Sequence, residues 1–336
     1  MERTEKFMIY SSKDSLIMTE EGLKYVSKLT KDDNLITANK EITKIRNLPV
    51  TVGNLLVIKG HGHPKLMVNK DQFILTSNYK RVWNKKEKKA EREFITPIYK
   101  RSEDIKGDFW ASPMSFIKTD EPIVLSENLT WFMGAFLSGG YIEKGWQIYI
   151  KTNQFRYKEL EDRLKDLGVK YTKNVLHAYT EYFIRDKIMV KFFNDTFNIG
   201  YGVYNIPLWV YSMDENLRKS FFEGFMWHGG VFEDDKYRIS TGNKYLAIGI
   251  KLIAQGLGYS VALYLNESYK DKKKIERWQI VSEINARSSA QIGENRFGLV
   301  REVEKNERKF VITGRELERN ESVILDGIVV KPIQLI

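Results

Sequence analysis

Residues Phe132–Tyr141 read FMGAFLSGGY, and Phe222–Val231 read FEGFMWHGGV. Each fits one apolar helix with a glycine near its middle and a Gly-Gly pair at its end. A glycine inside a helix costs about 1 kcal/mol relative to alanine, yet it stands at Gly134 and again at Gly224. Without a Cβ, a second backbone can come very close. The two glycines therefore predict two helices that cross along small residues and form the spine of a domain.

Outward from these helices, one order of elements occurs twice. From Glu127 it runs helix (LTWFMGAFL), strand (WQIYIKT), helix (RYKELEDRLKDLG) and strand-like run (EYFIRDKIMVKFF). From Asp214 it runs helix (ENLRKSFFEGFMW), strand (KYRIST), helix (NKYLAIGIKLIAQGLG) and strands (SVALYL, RWQIVSEI). The offset from Gly139 to Gly229 is about 90 residues, too long for a solenoid unit and suited to a pseudo-twofold domain. Both second helices end in Leu-Gly before a strand, KDLGVKY and QGLGYSV, where glycine supplies a left-handed cap. This domain is expected over residues 126–290, with repeats at about 127–200 and 206–290.

The flanks have a different texture. Residues 1–125 contain short alternating runs, such as LLVIK (Leu55–Lys59) and QFILT (Gln72–Thr76), broken by Gly, Asn, Asp and Pro. Residues 291–336 return to short strands and end in SVILDGIVVKPIQLI. Residues 80–101 are dense in charge and read as an exposed loop or hairpin, with a nucleic-acid contact as the other reading. The expected fold class is α+β, in two domains.

Composition narrows the chemistry. Hydrophobic residues make up 42% of the 336, enough for real cores, and no apolar run approaches a membrane span. The first ten residues, MERTEKFMIY, lack a secretory pattern, so an intracellular protein with no membrane partner is expected. The absence of cysteine removes disulfides, thiol nucleophiles and cysteine zinc sites. Of the four histidines, His61 and His63 fall in GHGHP, which reads as a turn rather than a metal site. The net charge of +10 is compatible with a polyanion partner and equally with solubility alone.

The repeat resembles the LAGLIDADG homing endonucleases, in the subtype carried within inteins. The resemblance rests on LTWFMGAFLSGGYIEKGWQIYI, on the Ile-Pro-x-Trp-Val lead-in at Ile206–Val210 followed by RKSFFEGFMWHGG, and on NKYLAIGIKLIAQGLGYSVAL. The flanks resemble the Hint splicing module: KDSLIMTEEGLKYVSKL (Lys13–Leu29), LMVNKDQFILT (Leu66–Thr76), RSEDIKGDFWASP (Arg101–Pro113) and ERNESVILDGIVVKP (Glu318–Pro332). The resemblance implies a β-rich Hint-like domain from residues 1–125 and 291–336. Inserted in it would be a pseudo-twofold αββαββα domain with Gly134 and Gly224 at the helix interface.

The departures from both patterns concern chemistry. The family's motif ends in an aspartate that holds Mg²⁺ over the scissile phosphate. The matching positions here are Gly139 and Gly229, which have no side-chain oxygen. Glu143 and Asp234, with Glu233 and Asp235 beside it, are the nearest substitutes, and Mg²⁺ is implied only if they act. In the splicing pattern the nucleophile position holds Tyr10, Thr-x-x-His becomes Asn69-x-x-Gln72, and the terminal His-Asn becomes Lys331-Pro332. Glutamine is no general acid or base near neutral pH. No catalytic residue and no cofactor are therefore expected.

What remains by resemblance is a DNA surface on the two sheets beside the paired helices. The expected strands are Trp146–Arg156, Tyr182–Lys191, Lys236–Asn243 and Ser260–Ile280. They and a basic hairpin tip offer Lys151, Arg156, Arg185, Lys187, Lys191, Lys236, Arg238, Lys272, Lys273 and Lys274 for phosphates. Gln147, Asn153, Gln154 and Asn243 could read base edges. The expected function is a catalytically inactive, monomeric binder of double-stranded DNA, as a regulator or as the recognition subunit of a larger complex. An endonuclease using displaced acids and a protein-interaction subunit that binds no DNA are the alternatives.

Overall fold

The computed structural model describes residues 5–335 except 154, 201–202, 234–235, 271–272 and 284–288, and the side chains of Lys270, Lys273, Lys274, Glu307, Arg308 and Val311 are also left undescribed. The chain divides into two compact units: Met1–Ile117 with Asn285–Ile336, and Lys118–Ile284. Both boundaries lie several residues before the expected 126 and 290.

In the second unit the helices are α1 (Glu127–Gly139), α2 (Tyr157–Asp166), α3 (Lys187–Phe197), α4 (Leu208–Ser212), α5 (Glu215–Gly229) and α6 (Lys244–Gly256). Ser126 caps α1 by accepting the Leu129 N–H at 3.2 Å, and Asp186 caps α3 through Met189 N–H at 2.9 Å. Helices α1 and α5 cross at their glycines. A Cβ on Gly134 would land on the Phe221 carbonyl oxygen and lie 2.6 Å from the Phe225 nitrogen. A Cβ on Gly224 would land on the Trp131 oxygen, 2.7 Å from its carbonyl carbon. Trp131 and Phe221 each lie three residues before their own helix's glycine, so the contact is reciprocal, as twofold symmetry requires. Ser220 Oγ donates to Glu127 O at 2.6 Å, and Trp131 meets Trp227 edge-on with centroids 4.9 Å apart.

Each helix of the pair is followed by a four-stranded antiparallel sheet. The first has the order Gly140–Glu143, Gln147–Asn153, Tyr179–Ile184, Tyr171–Val175, and the second Val231–Glu233, Lys236–Thr241, Lys273–Glu283, Ser260–Lys270. Strand alternation turns Ile148, Ile150, Tyr182 and Ile184 inward, all wholly buried. In the second sheet Ile239, Leu263 and Ile280 play that part.

Three expectations need correction. Tyr182–Lys191 is not one strand: it ends at Ile184, and Lys187 and Lys191 lie on α3. The Asp186 cap and the helical spacing of buried Val190, Phe193 and Phe197 explain the switch, and the Phe193 and Phe197 rings pack on α1 against Phe132 and Phe136. Only the first repeat therefore gains a closing helix among the described residues, so αββαββα describes one half. The Trp146–Arg156 strand shrinks to Gln147–Asn153, leaving Arg156 at the start of α2.

The first unit is β-rich and drawn from both ends of the chain, with fifteen strands in one antiparallel network. The expected short strands of residues 291–336 include a long one, Asn295–Leu317, which pairs with Lys6–Ser12, Val50–Gly60 and Phe109–Pro113. Its charge-rich middle hides the strand from a hydropathy reading. Ile9, Ile58, Leu66, Val68, Ile74, Trp110, Leu325 and Val330 form the main core.

The helix crossing makes a direct prediction. Gly134→Ala or Gly224→Ala should cost about 3 kcal/mol or more in denaturant unfolding, because backbone rather than a side-chain tip must move. Gly229→Ala, with nothing within 4 Å of its Cβ, should stay within about 0.5 kcal/mol of the parent.

Candidate nucleic-acid interface

The helix pair delivers Gly139 and Gly229 to the ends of α1 and α5, where the sheets begin. The two ends are unlike. A Cβ on Gly139 would overlap the His228 ring, whereas the space at Gly229 is open. The imidazole Nε2 donates to the Lys151 carbonyl at 2.7 Å, which ties the end of α5 to the first sheet. Burial pushes the His228 pKa below its ordinary value, nearby Arg156 adds to this, and the Lys151 hydrogen bond only partly opposes it. His228 bounds a cleft of about 490 Å³ with Gly139, Tyr141, Tyr149, Lys151 and Tyr179.

These positions do not fit a divalent cation. Neither glycine offers a side-chain oxygen, and an imidazole fills the space beside Gly139. The Glu143 carboxylate accepts from Gln147 Nε2, and Glu233 lies 3.8 Å from Arg238. Asp234 lies outside the described residues. Among the described residues, no three His, Asp or Glu side chains are grouped to hold a metal ion.

The residues expected to meet DNA separate into several environments. Lys151 and Asn153 stand on the outer face of the first sheet, Lys151 with Nζ 3.2 Å from the Tyr179 ring centroid. Gln147 shares that face by alternation but is buried, bonded to Glu143 and to Arg185 Nε at 3.1 Å. Arg185 also lies over the Trp146 ring at 5.3 Å. Lys236 and Arg238 face outward from the second sheet, 3.7 and 3.8 Å from Glu283 and Glu233. Lys187 is exposed on α3, and Lys191 pairs with Asp195 there.

Two members of the set are structural. Arg156 donates to the carbonyls of Trp227 and of Gly230, the latter at 2.8 Å, closing the C-terminus of α5. Asn243 caps α6 through Tyr245 N–H at 2.9 Å and donates to Tyr204 O at 2.6 Å. Gln154 and Lys272 lie outside the described residues, as do the side chains of Lys273 and Lys274. Sequence reading missed His228, though its place just before Gly229 in WHGG was the available signal.

In the first unit, the positions matched to the splicing pattern converge. Gln72, wholly buried, accepts the Tyr10 N–H at 3.2 Å and donates to the Lys331 carbonyl. Asn69 N–H donates to Tyr10 O at 3.2 Å, and Ser102 Oγ bonds Asn69 O at 2.8 Å. Pro332 follows, buried. One amide thus joins three segments far apart in sequence, but it supplies no acid, base or nucleophile.

No family model matches this sequence, and no curated protein matches it. Solved structures similar to it include I-DmoI in complex with DNA and Mn, at 13% identity over 47% of this chain and 90% of that one, with a TM-score of 0.35. The N-terminal LAGLIDADG domain of DUF199/WhiA is 12% identical over 48% and 80%, with a TM-score of 0.32. Full-length DUF199/WhiA from Thermatoga maritima is 11% identical over 48% and 53%, also at 0.32.

Two outcomes test these sites. His228 has a depressed pKa in the fold, so its contribution is present above its ordinary pKa and lost as pH falls below it. His228→Gln keeps a donor for Lys151 O and should flatten the loss of stability between neutral and mildly acidic pH, measured as the unfolding midpoint. Gln72→Ala leaves a buried N–H and carbonyl unpaired and should cost about 1–3 kcal/mol by chemical denaturation.

Proposed function

We propose that this chain is a noncatalytic, LAGLIDADG-type binder of double-stranded DNA that works through the second unit, with a Hint-like first unit that no longer splices. The observation that carries the noncatalytic part is the pair of helix ends: Gly139 is closed over by His228 and Gly229 is bare. Among the described residues, cation-assisted phosphate cleavage has no ligand set there. In the first unit, Tyr10, Asn69, Gln72 and Lys331 keep a shared geometry without reactive groups, which supports the same reading of the splicing-like centre.

The duplex part rests on the reciprocal helix contact. It sets two sheets of the same strand order about one pseudo-dyad, and a duplex site with matching half-sites has that symmetry. Their outer faces offer Lys151, Asn153, Lys236, Arg238 and Gln279, a mixture that suits phosphates and base edges. Residues 118–284 hold 23 basic and 21 acidic side chains. Attraction is therefore local, and Glu233 and Glu283 must yield Arg238 and Lys236 to phosphates.

A duplex pool titrated at about 50 and about 200 mM salt should show binding that weakens with salt. Lys151→Ala and Arg238→Ala should each reduce the salt slope by about 1. Added Mg²⁺ should produce no cleavage. No salt-dependent duplex binding by the full chain would overturn the reading, and Mg²⁺-dependent cleavage lost in Glu143→Gln would replace it with the endonuclease.

A further inference from the structure

The net charge of the protein does not lie with the expected DNA surface. Outside residues 118–284 the chain has 31 basic and 23 acidic side chains, against 23 and 21 within. A large part of that excess is concentrated in one hairpin of the first unit, Tyr79–Asn84 with Lys89–Phe94, which forms a two-stranded sheet of its own. Residues 79–94 contain seven basic and three acidic side chains.

The register sorts these charges by face. Tyr79 is opposite Phe94, Arg81 opposite Arg92, and Trp83 opposite Ala90, so all six share one face. Lys80 opposite Glu93, Val82 opposite Glu91, and Asn84 opposite Lys89 make the other. All three carboxylates are engaged by lysines: Glu93 by Lys80 at 3.3 Å, Glu91 by Lys89 at 3.7 Å, and Glu87 also by Lys89. On the first face, Tyr79 and Phe94 seat the base of the hairpin against Phe109, with centroids 5.9 and 5.1 Å away. Beyond them Arg81 and Arg92 are directly cross-strand, with the Arg92 guanidinium 4.9 Å from the Tyr79 ring centroid. Next to the arginines, Trp83 is 61% exposed, and its cross-strand neighbour is only an alanine.

An exposed indole on a strand face that also carries two arginines suits a ligand with both a flat π-face and an anionic backbone. In a duplex the base faces are stacked away; in a single strand they are available. We propose that the Tyr79–Phe94 hairpin binds single-stranded nucleic acid, with Trp83 stacked on an unpaired base and Arg81 and Arg92 on the adjoining phosphates. Lys85, Lys86 and Lys88 at the tip extend the track. This site is in the other unit from the proposed duplex surface and does not depend on it.

Anisotropy of a fluorescein-labelled oligo-dT with the full chain tests the proposal. Binding should weaken with salt, and Trp83→Ala should reduce affinity roughly 5- to 100-fold, while Trp83→Phe retains most of it. Arg81→Ala should lower the salt slope by about 1. Lys80→Ala, on the opposite face, should change affinity less than about twofold. The double variant Lys151→Ala/Arg238→Ala should leave oligo-dT binding intact, which separates this site from the duplex reading. The proposal is overturned by absent oligo-dT binding at low salt, or by equal losses in Lys80→Ala and Trp83→Ala. Competition by a blunt duplex or by phosphatidylserine vesicles as strong as that of unlabelled oligo-dT would also overturn it.

Discussion

The backbone contact between α1 and α5 constrains everything else in the second unit. Trp131 O and Phe221 O occupy the volumes that side chains on Gly224 and Gly134 would need. Two helices this close can cross in few ways, and the reciprocal use of equivalent residues fixes a pseudo-dyad at the crossing. The sheets start where the helices end, at Gly140 and Val231, so their places follow from the same contact. Burial of Trp131, Phe132, Phe136, Phe221, Phe222 and Phe225 around the crossing opposes the conformational entropy that glycine adds to the unfolded chain.

A crossing held by backbone has a chemical consequence. It presses two helix termini together whatever residues stand there, so the scaffold does not need a metal or a carboxylate for its own stability. His228 illustrates the point. Its ring lies where a side chain at position 139 would begin, and its hydrogen bond to Lys151 O joins α5 to the opposite half of the unit. Arg156 works in the reverse direction, from the first repeat onto the last carbonyls of α5. Together these exchanges fasten the helix ends across the dyad with neutral and cationic groups, where a cation site would require oxygen anions.

The helix pair and the repeat were legible because a period of about 90 residues and a costly interior glycine leave a strong mark in sequence. The sheet residues were less so. Alternation places Lys151 and Asn153 outward correctly, but it cannot foresee that Arg156 and Asn243 turn back to satisfy helix termini. Polar groups serve caps and surfaces with the same atoms, and only the three-dimensional partner distinguishes them. EYFIRDKIMVKFF misleads for a related reason: its β-branched and aromatic residues suit strand and helix alike, and one cap at Asp186 decides.

In the first unit, buried polar groups tie together segments from the two ends of the chain. Arg315 is wholly buried, bonded to Ser11 Oγ at 2.8 Å and Ile9 O at 3.3 Å, with Asp326 as the neighbouring counter-charge. Asp326 accepts the Leu16 N–H at 2.9 Å, and Gln72 joins Tyr10 to Lys331. Each group bridges a segment near the N-terminus to one that follows residue 285, apart from Gln72, which links both to the middle of the unit. Removing one partner from such a network leaves an unpaired buried dipole or charge, which costs more than the bond itself contributed. The network therefore has a folding reason of its own, whatever chemistry its groups lack. Function must be sought where residues are exposed without a folding reason, and Trp83 beside Arg81 is such a place.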